Sequence, residues 1–313
     1  MCQHHAPKKH IKILAKARRN LYNGHMKTPP RLTPLLEAGL IDEVIGQLMS
    51  GKEATVYIVR SGSELRCAKV YKAAEQRSFR QAVQYREGRK VRNSRRARAQ
   101  EKGSRYGRKQ QEEAWHNAEA IALGRLARAG VRVPRSYGCI DGVLLMELIV
   151  DAQGEVAPRL SEVSYSREEA LEAHALMMSH VTRMLHCGLV HGDLSEFNVL
   201  VDAEGPVIID LPQAVDAAAN NHAYSMLERD INNMTQYFGR YASELLGRLY
   251  AQELWALFSA GELHPSVELQ GDFVQDDTAA DLDGVMLEIE ATLAEEQARQ
   301  ERCQASDTSP AQH

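Results

Sequence analysis

His191-Gly192-Asp193-Leu194-Ser195-Glu196-Phe197-Asn198, followed a short way on by Ile209-Asp210, is the stretch on which the reading of this chain turns. It supplies a carboxylate, an amide five residues later, and a second carboxylate at the end of the β-rich run Val207 to Ile209. Phosphoryl transfer needs that combination. One carboxylate accepts the proton of the attacking hydroxyl, while an amide oxygen and another carboxylate hold magnesium on the phosphates. Asp193, Asn198 and Asp210 match those roles in order and spacing. A lone His-Gly-Asp would be an ordinary surface turn; the amide and the strand-terminal aspartate give it chemical meaning.

Outward from this stretch, Val199 to Val201 and Val207 to Ile209 read as short strands between two long helical patterns, Arg167 to Leu185 and Tyr224 to Phe258. Chemistry is expected at the polar ends of such strands. Upstream, Ala54 to Val59 and Leu65 to Tyr71 are β-rich runs separated by Ser61-Gly62-Ser63, a hairpin signal. Pro34 to Leu48 is expected to be helical. Trp115, Ala118, Ala122 and Leu126 recur at helical spacing until Gly130 and Pro134 stop the element, and Glu119 rides on it. A strand over Val143 to Ile149 follows an Asp141-Gly142 turn. Leu282, Met286, Ile289 and Leu293 form an apolar stripe after Thr278-x-x-Asp281, predicting one amphipathic helix near the end. Strands with one helix, then mostly helices, make an α+β chain.

Bulk properties narrow the class. At 313 residues, 44% hydrophobic and 26% charged, the chain is ordinary globular material with room for one or two cores. No apolar run approaches the ~20 residues of a spanning helix, so no membrane attachment is expected. The five cysteines, Cys2, Cys67, Cys139, Cys187 and Cys303, form no Cys-x-x-Cys pair, which points away from a zinc site or disulfide framework. Met1 to Arg19 lacks the apolar stretch of a secretory signal, so a cytoplasmic location is expected. His174, His180 and His186 stand six residues apart on a predicted helix and do not share a face, so they are read as structural. The net charge of −4 conceals a division: residues 77–109 carry thirteen Lys/Arg against Glu87 and Glu101, and residues 261–313 carry thirteen acids against Arg299 and Arg302. The basic stretch is poor in apolar residues and reads as a flexible insert able to attract RNA or a ribosomal particle.

The catalytic stretch resembles that of the Rio family of atypical protein kinases, His-Gly-Asp-Leu-Ser-Glu-Tyr-Asn, with Phe197 in the tyrosine's place. The family's phosphate loop, Ser-x-Gly-Lys-Glu-Ala-x-Val-Tyr, is similar to Ser50-Gly51-Lys52-Glu53-Ala54-Thr55-Val56-Tyr57, with one residue fewer between Ser50 and Gly51. The resemblance covers roughly residues 40–258. It implies a two-lobed protein-kinase-like fold with a small β-rich N-lobe and a mainly helical C-lobe, and ATP with Mg2+ as cofactors. Asp193 is then the proton acceptor, Asn198 and Asp210 the metal ligands, and Ser50, Gly51 and Lys52 the phosphate contacts. Lys69 resembles the strand lysine that anchors the phosphates, and Glu119 the helix carboxylate that holds it. Leu145-Met146-Glu147-Leu148-Ile149 resembles the hinge, with Met146 behind the adenine and the backbones of Glu147 and Ile149 meeting the base. Asp230 resembles a helix aspartate that supports the catalytic loop. The family association with a phosphoaspartate marks Asp210 as a candidate nucleophile beside its metal role.

The implied organisation is an extension over residues 1–39, an N-lobe over 40–149 with the basic insert at 77–109, a C-lobe over 150–260 and an acidic tail over 261–313. The activity expected is a serine/threonine protein kinase, with ATPase switching and autophosphorylation at Ser78, Ser94 or Ser104 as further expectations; the protein substrate is unknown. Asp210 is followed by Leu211-Pro212-Gln213 rather than Phe-Gly, and no Ala-Pro-Glu segment follows, so a peptide-docking platform is in doubt. Two rivals remain. A small-molecule phosphotransferase of the aminoglycoside or choline kinase type shares His-Gly-Asp and the later Asn but usually has His where Ser195 stands. A pseudokinase scaffold that binds nucleic acid is disfavoured by the presence of Lys69, Asp193, Asn198 and Asp210 together.

Overall fold

The computed structural model of the chain describes residues 28–72 and 105–273, with side chains throughout that range except at 105–116. The larger compact unit ends at Asp272. Residues 1–25, nearly all of the basic run, its Ser78, Ser94 and Ser104, and the stripe from Leu282 to Leu293 lie outside the described residues.

The N-lobe is a five-stranded sheet in the order β1-β2-β3-β5-β4, all neighbours antiparallel: β1 Glu43–Ser50, β2 Ala54–Ser61, β3 Glu64–Tyr71, β4 Ser136–Ile140 and β5 Val143–Glu147. Alternation along β2 and β3 sorts side chains to two faces. Val59, Ala68 and Val70 join Val143 and Leu145 on the face covered by Leu32 and Leu35, while Val56, Ile58 and Cys67 pack with Leu148 on the other. Lys69 and Tyr71 share the parity of Cys67 and so point to this second side. The long helix α2, Arg105–Arg128, buries Ala122, Leu123 and Leu126, the stripe on which Glu119 sits.

The C-lobe is built on α3 Arg167–His186, which starts with a capping box between Ser166 and Glu169, and on α4 Ala223–Gly239 and α5 Tyr250–Ser259. Two small antiparallel ribbons pack beside them: β6 Leu189–Val190 with β9 Val215–Asp216, and β7 Val199–Asp202 with β8 Gly205–Ile208. The largest apolar core ignores the lobe boundary, joining Tyr71, Leu123, Leu126 and Leu144 to Met177, Leu185, Ile208 and Phe238.

The structure corrects several expectations. The helix expected over Pro34 to Leu48 is a short one, α1 Thr33–Glu37, ended where Gly39 takes φ +67; a turn follows, and from Glu43 the chain is strand β1. Tyr224 to Phe258 is broken into α4 and α5, because Gly239 lies where a Cβ would overlap Leu246, and Gly247 adopts φ +76 between the helices. Strand β4 was not anticipated. Both domain edges also move: Leu32 and Leu35, placed in the extension, are fully buried in the N-lobe core, and Leu263, placed in the tail, is buried in the C-lobe. Among the described residues no helix is long and apolar enough to cross a membrane.

Candidate active site

Glu119 is the centre of the arrangement. Lys69 Nζ donates to both of its oxygens at 2.8 Å, the Tyr71 hydroxyl donates to Oε2, and the Leu211 N–H donates to Oε1 at 3.3 Å. Lys69 also reaches Asp210 Oδ1 at 2.6 Å. One cation thus bridges a helix carboxylate that is 1% exposed and a loop carboxylate at the cleft, while Tyr71 and Leu211 satisfy what remains of Glu119. Burial opposes the lysine's charge, but the two carboxylates outweigh it and hold Lys69 well above the usual lysine range. Burial likewise pushes Asp210 up, and Lys69 reverses it, leaving that carboxyl below its ordinary value.

The catalytic loop hangs from α4. Asp230 falls on the helix's buried stripe beside Leu227 and Ile231, and accepts from the N–H groups of Gly192 at 2.7 Å and Leu194 at 2.9 Å. Its neighbours Arg229 and Asn233 donate to the carbonyls of Gly192 and Leu194. Inside the loop, His191 accepts from the Asp193 N–H at 3.2 Å through Nδ1, which leaves Nε2–H to donate to the Ile209 carbonyl at 3.1 Å. Asn198 Nδ2 donates to the Asp193 carbonyl at 2.8 Å, and the Ile209 N–H to the Asn198 carbonyl. The β7–β8 ribbon, which Asn198 precedes and Asp210 follows, is clamped by a bidentate pair from Arg132 to Asp202, at 2.9 and 2.6 Å. Asp193 and Asp210 are thereby brought to one cleft with their backbones fixed. Partial desolvation raises the Asp193 carboxyl, and the nearby Asp210 carboxylate adds to the rise, against His191 and Arg229.

On the same side of the sheet as Lys69, Val56, Ile58, Cys67 and Leu148 form a small apolar cluster, with Ile45, Leu48, Met146 and Val156 packed against it. Met146 stands opposite Cys67 in the β3–β5 register. The Glu147 N–H is engaged by the Arg135 carbonyl and the Ile149 carbonyl by the Ala157 N–H. The turn at residues 51–53 is less open than expected: the Gly51 N–H closes it onto the Ala54 carbonyl at 2.8 Å, and Lys72 Nζ holds the Gly51 carbonyl at 2.6 Å. Beside the turn the Ser50 hydroxyl, which shares a proton with Thr55 at 3.2 Å, and Lys52 are exposed.

Oxygen donors at Asn198 and Asp210 suit magnesium, which takes one or two protein ligands and fills its octahedron with phosphate and water. The amide nitrogen of Asn198 is already tied to Asp193, so its oxygen is the group to offer, and Asp210 retains a carboxylate oxygen that Lys69 does not hold. Among the described residues no three His, Cys, Asp or Glu converge as a zinc site would require. Tyr71 escaped the sequence reading, although its parity with Lys69 could have flagged it.

The model of the RIO domain matches residues 55–249, from β2 to the residue before α5. The RIO-type serine/threonine-protein kinase Rio1 of Haloferax volcanii is 35% identical over 214 residues, 68% of this chain and 69% of that protein. Human serine/threonine-protein kinase RIO1 is 31% identical over 218 residues, 67% of this chain but 36% of the human protein. The chain likewise spans only 45% and 41% of the relatives from Caenorhabditis elegans and Schizosaccharomyces pombe. Among solved structures, the Rio2 kinase–ADP/Mg2+–phosphoaspartate complex from Chaetomium thermophilum is similar at a TM-score of 0.48 and 20% identity, over 76% of this chain and 71% of that one. With a family match across more than half of its length and 35% identity to the Haloferax protein, this chain belongs to the RIO domain family.

Proposed function

We propose that this RIO-domain protein transfers the terminal phosphoryl group of ATP, with magnesium, to a serine or threonine hydroxyl of a protein. The observation that carries the reading is the chain of contacts from Glu119 through Lys69 to Asp210, beside a catalytic loop held from α4 at Gly192 and Leu194, on either side of Asp193. In this reading Lys69 meets the phosphates, positioned by Glu119 and Tyr71, and Asn198 and Asp210 hold magnesium, which neutralises charge on the phosphate oxygens. Asp193 accepts the hydroxyl proton, and its raised affinity for a proton suits a base that must take one up. In the same reading the apolar cluster around Cys67, Met146 and Leu148 packs against the adenine and keeps water from its faces.

The test is magnesium-dependent phosphate transfer by the purified chain to itself and to candidate proteins. Asp193→Ala is expected to keep nucleotide affinity within a few-fold and lose about 10²-fold or more in transfer. Lys69→Ala is expected to weaken ATP binding as well. Wild-type turnover by Asp193→Ala would remove the assignment. A hydroxylamine-labile label on the peptide containing Ile209-Asp210-Leu211 would make Asp210 an acceptor as well as a ligand; a hydroxylamine-resistant label elsewhere keeps it a ligand.

A further inference from the structure

Arg159 lies across the mouth of the cleft. Its backbone is held by the Glu162 carboxylate, which accepts its N–H at 3.1 Å, and by an isolated antiparallel bridge to Leu200 in β7. The side chain then touches both lobes. Nη1 donates to the Phe197 carbonyl at 2.8 Å, one residue before Asn198, and Nη2 reaches Sδ of Met49 at 3.5 Å, one residue before Ser50. Phe197 and Met49 are 54% and 39% exposed, so the guanidinium sits at the rim, whereas Lys69 is buried.

Among the described residues Arg159 has no carboxylate partner, unlike Arg132, Arg167, Arg240 and Arg248. A guanidinium keeps its charge at any physiological pH and offers five donors in a planar fork, while a thioether is a weak acceptor. A permanent cation therefore stands between the turn and the loop assigned to phosphate and metal, with one arm on a poor partner.

We propose that Arg159 is a nucleotide-binding residue whose Nη2 exchanges the Met49 sulfur for a polyphosphate oxygen, while Nη1 stays on the Phe197 carbonyl. The inference rests on the reading that this cleft binds ATP. Lys69 then meets the polyphosphate from the buried side and Arg159 from the rim, and a charge-assisted bond replaces a weak one. A phosphate so held would be grasped by a side chain already fastened to the catalytic loop.

The experiment is calorimetric titration of the full chain, with magnesium, using ATP, ADP and adenosine, for wild type, Arg159→Met, Arg159→Lys and the surface control Arg167→Ala. Arg159→Met is expected to weaken ATP by about 10-fold or more, the scale of one hydrogen bond to a charged group, and to leave adenosine within about two-fold. Arg159→Lys, which keeps the charge without the fork, should fall between. Arg167→Ala should match wild type for all three ligands. Equal weakening of ATP and adenosine by Arg159→Met, or unchanged ATP affinity, overturns the assignment. Should Arg159→Met fail to fold, Arg159→Lys decides: an ATP-selective loss supports the proposal and no loss removes it. Absence of ATP binding by the wild-type chain would instead sink the reading on which the proposal stands.

Discussion

At residue 230 a carboxylate that is 1% exposed accepts two N–H groups of the catalytic loop, and burial raises its own carboxyl to about 6. Removing it leaves both donors without that partner inside the protein, at about 1–3 kcal/mol each. Asp230→Ala is thus expected to lower the urea midpoint clearly and to reduce phosphoryl transfer through loop displacement. Asp230→Asn keeps one acceptor oxygen and should recover part of both. An Asp230→Ala protein with wild-type stability and turnover would show that Arg229 and Asn233 suffice to hold the loop.

The loop as an element depends on Gly192, which adopts φ +80 with the Gln213 carbonyl oxygen 2.9 Å from where a Cβ would stand. Gly192→Ala must therefore displace backbone, not a flexible side-chain end. We expect a drop in turnover larger than the change in ATP affinity, read from steady-state kinetics beside calorimetry; equal effects would place the strain elsewhere. This element and several others could be read from the chain itself. The β2–β3 hairpin is marked by two β-rich runs around Ser61-Gly62-Ser63, α3 by its helical pattern from Arg167, and Lys69, Asp193, Asn198 and Asp210 stand in a recognisable order. Strand β4 could not, because its residues are all half-buried and it is defined by pairing with β5. Nor could the break after α4, which depends on Leu246 folding back on Gly239. In the site, the donors that complete Glu119 come from Tyr71 and from a backbone N–H at Leu211, ninety-two residues away, and sequence spacing carries no trace of the second.

For the molecule as a whole, acid should be felt through two buried histidines on α3. His174 and His180 are 3% and 5% exposed, and burial lowers both to about 4, with Arg183 and Arg132 adding to the shift at His180. An unfolded histidine titrates near ~6.5, so between that pH and about 4 the unfolded chain binds protons that the native one refuses. Stability is full above the unfolded value and is lost as pH falls, by up to about 3 kcal/mol for each histidine. Among the described residues neither ring nitrogen of His180 has a hydrogen-bond partner. His180→Leu should therefore unfold at higher urea than wild type at pH 5 and show a flatter pH dependence; an unchanged slope would mean that carboxylates dominate the acid response.

The shared apolar core has a thermodynamic corollary. Tyr71, Leu123, Leu126 and Leu144 of the upper lobe pack into the same cluster as Met177, Leu185 and Phe238 of the lower one, so the lobes share interior in addition to the upper lobe's own core. Melting of the nucleotide-free protein should then be one cooperative event, with calorimetric and van't Hoff enthalpies in agreement. A truncation at Leu126, fully buried in the upper lobe, should lower the transition reported by Trp255 of α5 as much as that reported by far-ultraviolet dichroism. Opening of the cleft is, on this account, a rocking of two halves about the interior they share, and the catalytic groups at its front keep their alignment only while that shared interior holds.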